Sequence, residues 1–187
     1  MTTTSPPATA SYIDRLDEVV RRGDRARLAA LRQLVAPPAR WGPDVYATAM
    51  ALLPPVVVDY EEDLWLFVAG LHALWHRGRS TPAPHSGSTL GSSVRTLGRR
   101  KGLELAPAVE RRFSVLLTSS DERLHHHLRQ AVTQLAGEGI GVDFVRLLSD
   151  LRHWDHPDRY VQRRWAREFW QPRASAEQQE PDQEEGT

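Results

Sequence analysis

Apolar residues recur every three or four positions along most of this chain, which is the spacing of amphipathic helices. The series Leu28, Leu31 and Leu34 shows this spacing early in the chain. No segment alternates convincingly with the period of two that a half-buried β-strand needs. The pattern therefore predicts an all-α fold of about nine helices.

Capping and helix-breaking residues predict where these helices begin and end. Ser11, with Asp14 three positions later, resembles a capping box that opens a first helix, and Gly23 provides a stop. Asp24 is a suitable N-cap for a second helix, and Pro43 suits the first turn of a third. Later helices are predicted over 59–77, 89–98, 107–118, 121–137, 143–154 and 158–171.

The helical segments fall on either side of a loop over 78–87 that is rich in Ser, Pro and Gly. We predict two small helical lobes, residues 11–77 and 88–172, which form a compact bundle. Residues 1–10 are expected to be disordered, and so is the acidic tail over 173–187, which has too few apolar residues to form a core. The helix over 59–77 has the widest apolar arc, so we expect it to be central and largely buried.

The amino-acid composition excludes several kinds of site and of protein. The chain has no cysteine, which excludes disulfides, thiolate metal sites and a cysteine nucleophile. It has no apolar run of the roughly 20 residues that a membrane span requires, and its N-terminus lacks the pattern of a signal peptide. We therefore expect a soluble cytoplasmic protein with no membrane partner.

The formal net charge of zero is an average over unlike parts of the chain. The tail from Ala174 carries five acidic residues and no basic one, which leaves residues 1–173 with 24 basic and 19 acidic residues, a net charge of +5. Of the 24 basic residues 23 are arginine, whose planar guanidinium matches phosphate oxygens. A genome rich in Arg codons is the alternative explanation of the excess of arginine. The clustering of the arginines is therefore better evidence for a phosphate-binding surface than their number.

One basic cluster lies on the last predicted helix, in the segment DRYVQRRWAREFW. Val161, Trp165 and Phe169 follow one another at intervals of four and predict a buried stripe. The opposite face would present charge about every 6 Å, close to the phosphate spacing of a single strand. A solvated face without function is the alternative. Three basic residues share that face and a fourth flanks it: Arg159, Arg163, Arg167 and Arg164.

A second basic segment, SSVRTLGRRKG, places Arg95 and Arg99 one helical turn apart and continues with Arg100. Arg112 flanks the apolar stripe of the next helix. Trp170 ends the last helix near its arginine stripe, where an indole could stack on a guanidinium or a base. These observations favour a nucleic-acid partner.

The histidines attract attention as metal ligands, but their pattern is unfavourable. His72 and His76 share the spacing of two ligands on a helix, but Ala73 stands where the zinc-hydrolase motif requires Glu. His72 also falls in the apolar arc, so we expect a core histidine. His125, His126 and His127 are consecutive and point about 100° apart around a helix. We assign no catalytic residue, no metal ligand and no cofactor.

Three segments, which overlap both basic clusters, resemble the small-subunit CasB family of the type I-E CRISPR Cascade complex. They are LGSSVRTLGR, then ERRF, then LHHHLRQAVTQLAGEGIGVDFVRLLSDLRHWDHPDRYVQRRWAREFW. The resemblance covers roughly 41–170 and is densest after Leu90. The first 40 residues and the acidic tail depart from the pattern that we can match.

The resemblance implies a helical protein without enzymatic activity that works in antiviral defence. Its partners would be the CasC backbone subunits, the large subunit CasA, a second copy of itself, guide RNA, and the target and displaced DNA strands. It would stabilise the R-loop through non-specific contacts. The family's basic surface would fall on Arg95, Arg99, Arg112, Arg129, Arg159, Arg163 and Arg164, and the charge pattern adds Arg100 and Arg167.

Rival functions stay open at this point. A helical transcription regulator would also present a basic helix, but it would show sequence preference. A metal-dependent hydrolase would use the histidines, and a protein-binding adaptor would turn the arginine surface toward an acidic partner.

Overall fold

The computed structural model describes residues 7–83, 86–99 and 105–171. These ranges contain nine α-helices and no strand, which confirms the all-α prediction. Two short 3-10 turns, Arg32–Val35 and Pro38–Arg40, lie between the second and third of these helices. None of the helices described is long and apolar enough to cross a membrane. The helices are α1 (Ala8–Arg21), α2 (Arg25–Leu31), α3 (Pro43–Leu52), α4 (Asp59–Trp75), α5 (Leu90–Arg99), α6 (Pro107–Thr118), α7 (Asp121–Gly137), α8 (Phe144–Leu151) and α9 (Tyr160–Trp170).

Most predicted helix ends are confirmed. Asp24 caps α2 by accepting a 3.0 Å hydrogen bond from a backbone N–H of the first turn, and Pro43 is the first residue of α3. The predicted start of the first helix at Ser11 is wrong. That helix begins at Ala8, and the N–H of Ser11 already donates to the carbonyl of Pro7 at 3.1 Å. The alanines that precede Ser11 favour helix, which extends it backwards.

Helix α4 is central, as its apolar arc predicts, and ten of its 17 residues are buried. It packs against the first 3-10 turn and against α7 and α8. The indole of Trp75 donates to the carbonyl of Ile140 at 2.8 Å, so α4 is hydrogen-bonded to the chain beyond the 78–87 loop. One apolar cluster includes buried residues from both sides of that loop. The division into two lobes stays a prediction.

Helices α5 and α9 lie in close contact and carry most of the predicted basic surface. Gly91 is required at their crossing, because a Cβ there would overlap the backbone carbonyl of Trp165. At the start of α5 the backbone N–H and the hydroxyl of Thr89 both donate to the carboxylate of Glu168, at 3.2 and 2.7 Å. These two hydrogen bonds hold α5 and α9 together.

Candidate nucleic-acid interface

Helix α9 has the two faces that the sequence predicts, one apolar and buried and the other basic and exposed. Val161, Trp165 and Phe169 are fully buried, at 0 % exposed. Arg163 and Arg167 are exposed on the other side, one turn apart. Neither guanidinium has a hydrogen bond or an ion pair with another described residue. Two cations about 6 Å apart along the helix axis are therefore available to a ligand.

The other two arginines of this cluster are engaged within the fold. Arg159 precedes α9 with φ at 48°, in the left-handed region, and its guanidinium donates to the carbonyl of Leu117 at 2.6 Å. Arg164 is partly buried and donates to the carboxylate of Asp150. Both bonds connect α9 to neighbouring elements, so the two arginines position the helix that carries Arg163 and Arg167.

Asp150 is the centre of a buried polar network under this surface. It lies in α8 at 2 % exposed and accepts hydrogen bonds from Arg164 and, at 2.5 Å, from the indole of Trp165. Arg146 forms an ion pair with it at 3.1 Å. Burial raises the pKa of Asp150, while the hydrogen bond of Trp165 and the charge of Arg164 oppose that rise. The network fastens α8 to α9.

Arg95 and Arg99 lie along a polar groove of about 730 Å³, the serine groove. Arg95 is only 8 % exposed and its guanidinium donates to the carbonyl of Phe169 at 2.6 Å. Arg99 is exposed and its guanidinium has no partner among the described residues. The hydroxyl groups of this groove are not among the predicted site residues, and their only signal in the sequence is the Ser-rich composition before and within α5. They belong to Ser86, Ser88, Ser92, Ser93 and Thr96.

The remaining predicted arginines lie on other helices. Arg112 is exposed on α6, beside a small crevice of about 30 Å³ that α5 and α7 also line. Arg129 is exposed on α7 at the edge of a separate groove. Arg100 lies outside the described residues. The structure thus places Arg163 and Arg167 one turn apart on α9 and Arg95 and Arg99 one turn apart on α5, while Arg112 and Arg129 lie on two other helices.

Trp170 is 38 % exposed at the end of α9. Its indole donates to the carboxylate of Glu110 at 2.8 Å, and its ring lies 5.8 Å from that of Phe113. Trp170 therefore connects α9 to α6 and keeps part of its ring surface accessible.

The histidine pair of α4 is buried, as expected for core residues. His72 and His76 are both 0 % exposed, and the Nε2 atom of His72 lies 2.7 Å from the carboxylate of buried Asp17. Ligand atoms of these three residues lie within 4.8 Å of one another, a spacing that could hold a metal ion. However, His76 donates from Nδ1 to the carbonyl of His72 and accepts at Nε2 from the N–H of Ala83. Both nitrogens of His76 are therefore already hydrogen-bonded within the fold.

We expect the stability of the protein to fall as pH is lowered from 6.5 toward 4. Burial first, and then the charge of His72, lowers the pKa of His76 to about 4, from 6.5, with Asp17 acting in the opposite sense. The imidazole takes up a proton near pH 6.5 in the unfolded chain but only near pH 4 in the folded chain. Between these pH values the unfolded state binds more protons, so the free energy of unfolding falls as the pH is lowered. The loss is roughly 3 kcal/mol, measurable by urea unfolding at a series of pH values.

The matched pair for this measurement is His76→Gln and His153→Gln, since His153 is exposed. The first variant should flatten the pH dependence and the second should keep it. An unchanged pH profile for His76→Gln would contradict the assignment.

The fold and these side chains define a compact helical protein, and several of its described helices carry arginines without a partner among the described residues. The chain belongs to the Cse2 family, because the family model of CRISPR-associated protein Cse2 matches residues 27–170. This confirms the resemblance seen in the motifs and extends it to positions before Trp41. A relative from Thermus thermophilus, also described as CRISPR-associated protein Cse2, is 34 % identical over 85 % of this chain and 86 % of its own.

Solved structures agree with this assignment. The chain is similar to CasB from Thermus thermophilus, with a TM-score of 0.70 and 30 % identity over 89 % of this chain and 99 % of that one. It is similar to M. ruber CasB, with a TM-score of 0.65 and 26 % identity over 90 % and 95 % of the two chains. A chain of a CRISPR RNA-guided surveillance complex matches with a TM-score of 0.66 and 25 % identity, over 87 % and 91 %.

Proposed function

We propose that this chain is a non-catalytic structural subunit of a type I-E CRISPR Cascade surveillance complex, a cytoplasmic assembly for antiviral defence. Membership of the Cse2 family supports this proposal, as does the similarity to a chain of a CRISPR RNA-guided surveillance complex. Its protein partners would be CasC backbone subunits, the large subunit CasA and a second copy of itself.

In this role the chain stabilises the R-loop, in which guide RNA pairs with the target strand and displaces the other strand. The observation that carries the mechanism is the pair of exposed, unpaired arginines on α9, Arg163 and Arg167. Their guanidiniums neutralise phosphates of a melted strand, which lowers the free energy of holding the duplex open. Such contacts carry no sequence information, as suits a complex in which base pairing reads the sequence.

The other predicted arginines divide by their environment. Arg99, Arg112 and Arg129 are exposed and would contact phosphates directly, Arg99 with the hydroxyls of the serine groove beside it. Arg159 and Arg164 would act mainly by positioning α9, since their guanidiniums are already bound.

We expect the isolated chain to bind single-stranded DNA weakly, without sequence preference and with a steep dependence on salt. Each phosphate contact contributes about 0.7 to the slope of log affinity against log salt. Fluorescence anisotropy with strands of different sequence at several salt concentrations measures both properties. A transcription regulator would instead prefer one duplex sequence and give a defined footprint. That result, or binding insensitive to salt, would contradict the proposal.

A further inference from the structure

A groove of about 470 Å³ opens between the segment 34–41 and the outer faces of α4 and α7. We call it the aromatic groove. Trp41 lines one side of the groove, and Phe67 and His125 line the other. The rings of Phe67 and His125 stack on each other, with centroids 4.0 Å apart and planes at 23°. Three exposed polar residues complete it: Asp63, His126 and Arg129.

The Trp41 ring is held in place before any ligand arrives. Its indole donates to the carbonyl of Ala36 at 2.9 Å, and Tyr46 packs edge-on against it with centroids 5.5 Å apart. The side chain is nevertheless only partly buried. A fixed aromatic ring with accessible surface binds a flat ligand at a small cost in conformational entropy.

The charged residues around the groove are available. Neither the guanidinium of Arg129 nor the carboxylate of Asp63 has a partner among the described residues. An aromatic wall offers a stacking surface, a guanidinium offers bidentate bonds to phosphate, and a carboxylate accepts from an exocyclic amine. These three chemistries together match a nucleotide.

We propose that the aromatic groove binds one unstacked nucleobase of a single strand, with the base against Trp41 and an adjoining phosphate at Arg129. Stacking on Trp41 accommodates any base, and Asp63 adds an acceptor when the base carries an amino group, so binding stays tolerant of sequence. The inference rests on the proposed function and adds a stacking site to its electrostatic contacts. It gives the chain one point of base contact beside its phosphate contacts.

The test compares two labelled strands by fluorescence anisotropy with the full chain: an oligodeoxycytidylate and the same strand with abasic sites. We expect the wild-type protein to bind the intact strand about tenfold more tightly, since a stacked base contributes on that order. Trp41→Ala should lower affinity for the intact strand to the abasic level and leave abasic binding unchanged. Arg129→Ala should weaken both strands equally, as a phosphate contact does.

Three controls keep the result interpretable. Trp41→Phe retains an aromatic ring without the indole hydrogen bond, so it should keep most of the discrimination, and thermal melting shows whether each variant is folded. Trp170→Ala removes the other partly exposed tryptophan, at the end of α9. Competition with free cytidine monophosphate tests whether a nucleotide alone is the ligand.

Equal affinity of the wild-type chain for intact and abasic strands overturns this inference, and salt-dependent binding would still support the proposed function. Loss of discrimination in Trp170→Ala rather than in Trp41→Ala moves the base to α9 and also overturns it. If free cytidine monophosphate saturates the groove at micromolar concentration, the ligand is a mononucleotide and not a base of a strand, which also overturns the inference. Absence of single-strand binding altogether would count against the proposed function itself.

Discussion

Replacing Arg163 and Arg167 together with alanine should lower the affinity of the isolated chain for single-stranded DNA by about tenfold at low salt. The reason is that these two guanidiniums are exposed and have no partner among the described residues. Removing two phosphate contacts should also reduce the salt slope by about 1.4. Anisotropy titrations at several salt concentrations measure both the affinity and the slope.

The matched control is Arg21→Ala with Arg22→Ala on α1. Both arginines are exposed and pair with Glu18, at 3.2 and 2.7 Å, and Arg21 also pairs with Asp17 at 4.0 Å, so two carboxylates already compensate their charge. The control should bind nearly as wild type, with an unchanged melting temperature. Equal losses in the two double variants would show that overall charge, and not the α9 surface, determines binding.

Replacing Asp150 with alanine should destabilise the fold by about 3–5 kcal/mol, because it breaks a buried ion pair from one side. The guanidinium of Arg164 and the indole N–H of Trp165 would both lose their acceptor in the interior. Chemical denaturation of the purified chain measures the change. Asp150→Asn keeps one acceptor oxygen and should cost less.

The control for this substitution is Asp158→Ala, since the side chain of Asp158 is 73 % exposed. It should change the free energy of unfolding by less than about 0.5 kcal/mol. An Asp150→Ala protein as stable as wild type would show that the network contributes little to the packing of α8 on α9.

The sequence allows both faces of α9 to be predicted, because spacing along one helix depends only on its geometry. Val161 and Trp165 are buried, and Arg163 and Arg167 are exposed, as the intervals of four residues require. The same reasoning could not separate Arg164 from its neighbours. Its partner, Asp150, lies on another helix, and such a pairing is set by tertiary packing.

The environment of Arg95 likewise could not be predicted from spacing along one helix. Its spacing from Arg99 predicts a common exposed face, whereas the structure leaves Arg95 only 8 % exposed. Gly91 allows α9 to approach closely enough for Arg95 to reach the carbonyl of Phe169. The two grooves could not be predicted either, since each combines segments that are distant in the chain. Trp41 and Arg129, for example, meet only in the folded protein.

The lifetime of the R-loop measures whether Arg163 and Arg167 hold the duplex open. A Cascade complex assembled from guide RNA and the other subunits would carry the wild-type chain, the Arg163→Ala/Arg167→Ala variant, or the Arg21→Ala/Arg22→Ala control. Permanganate reactivity of the displaced strand on a supercoiled target follows the open duplex over time. We predict that the α9 variant joins the complex normally and shortens the lifetime of the R-loop, while the control does not. An R-loop as long-lived with the α9 variant as with the wild-type chain would show that Arg163 and Arg167 do not stabilise it.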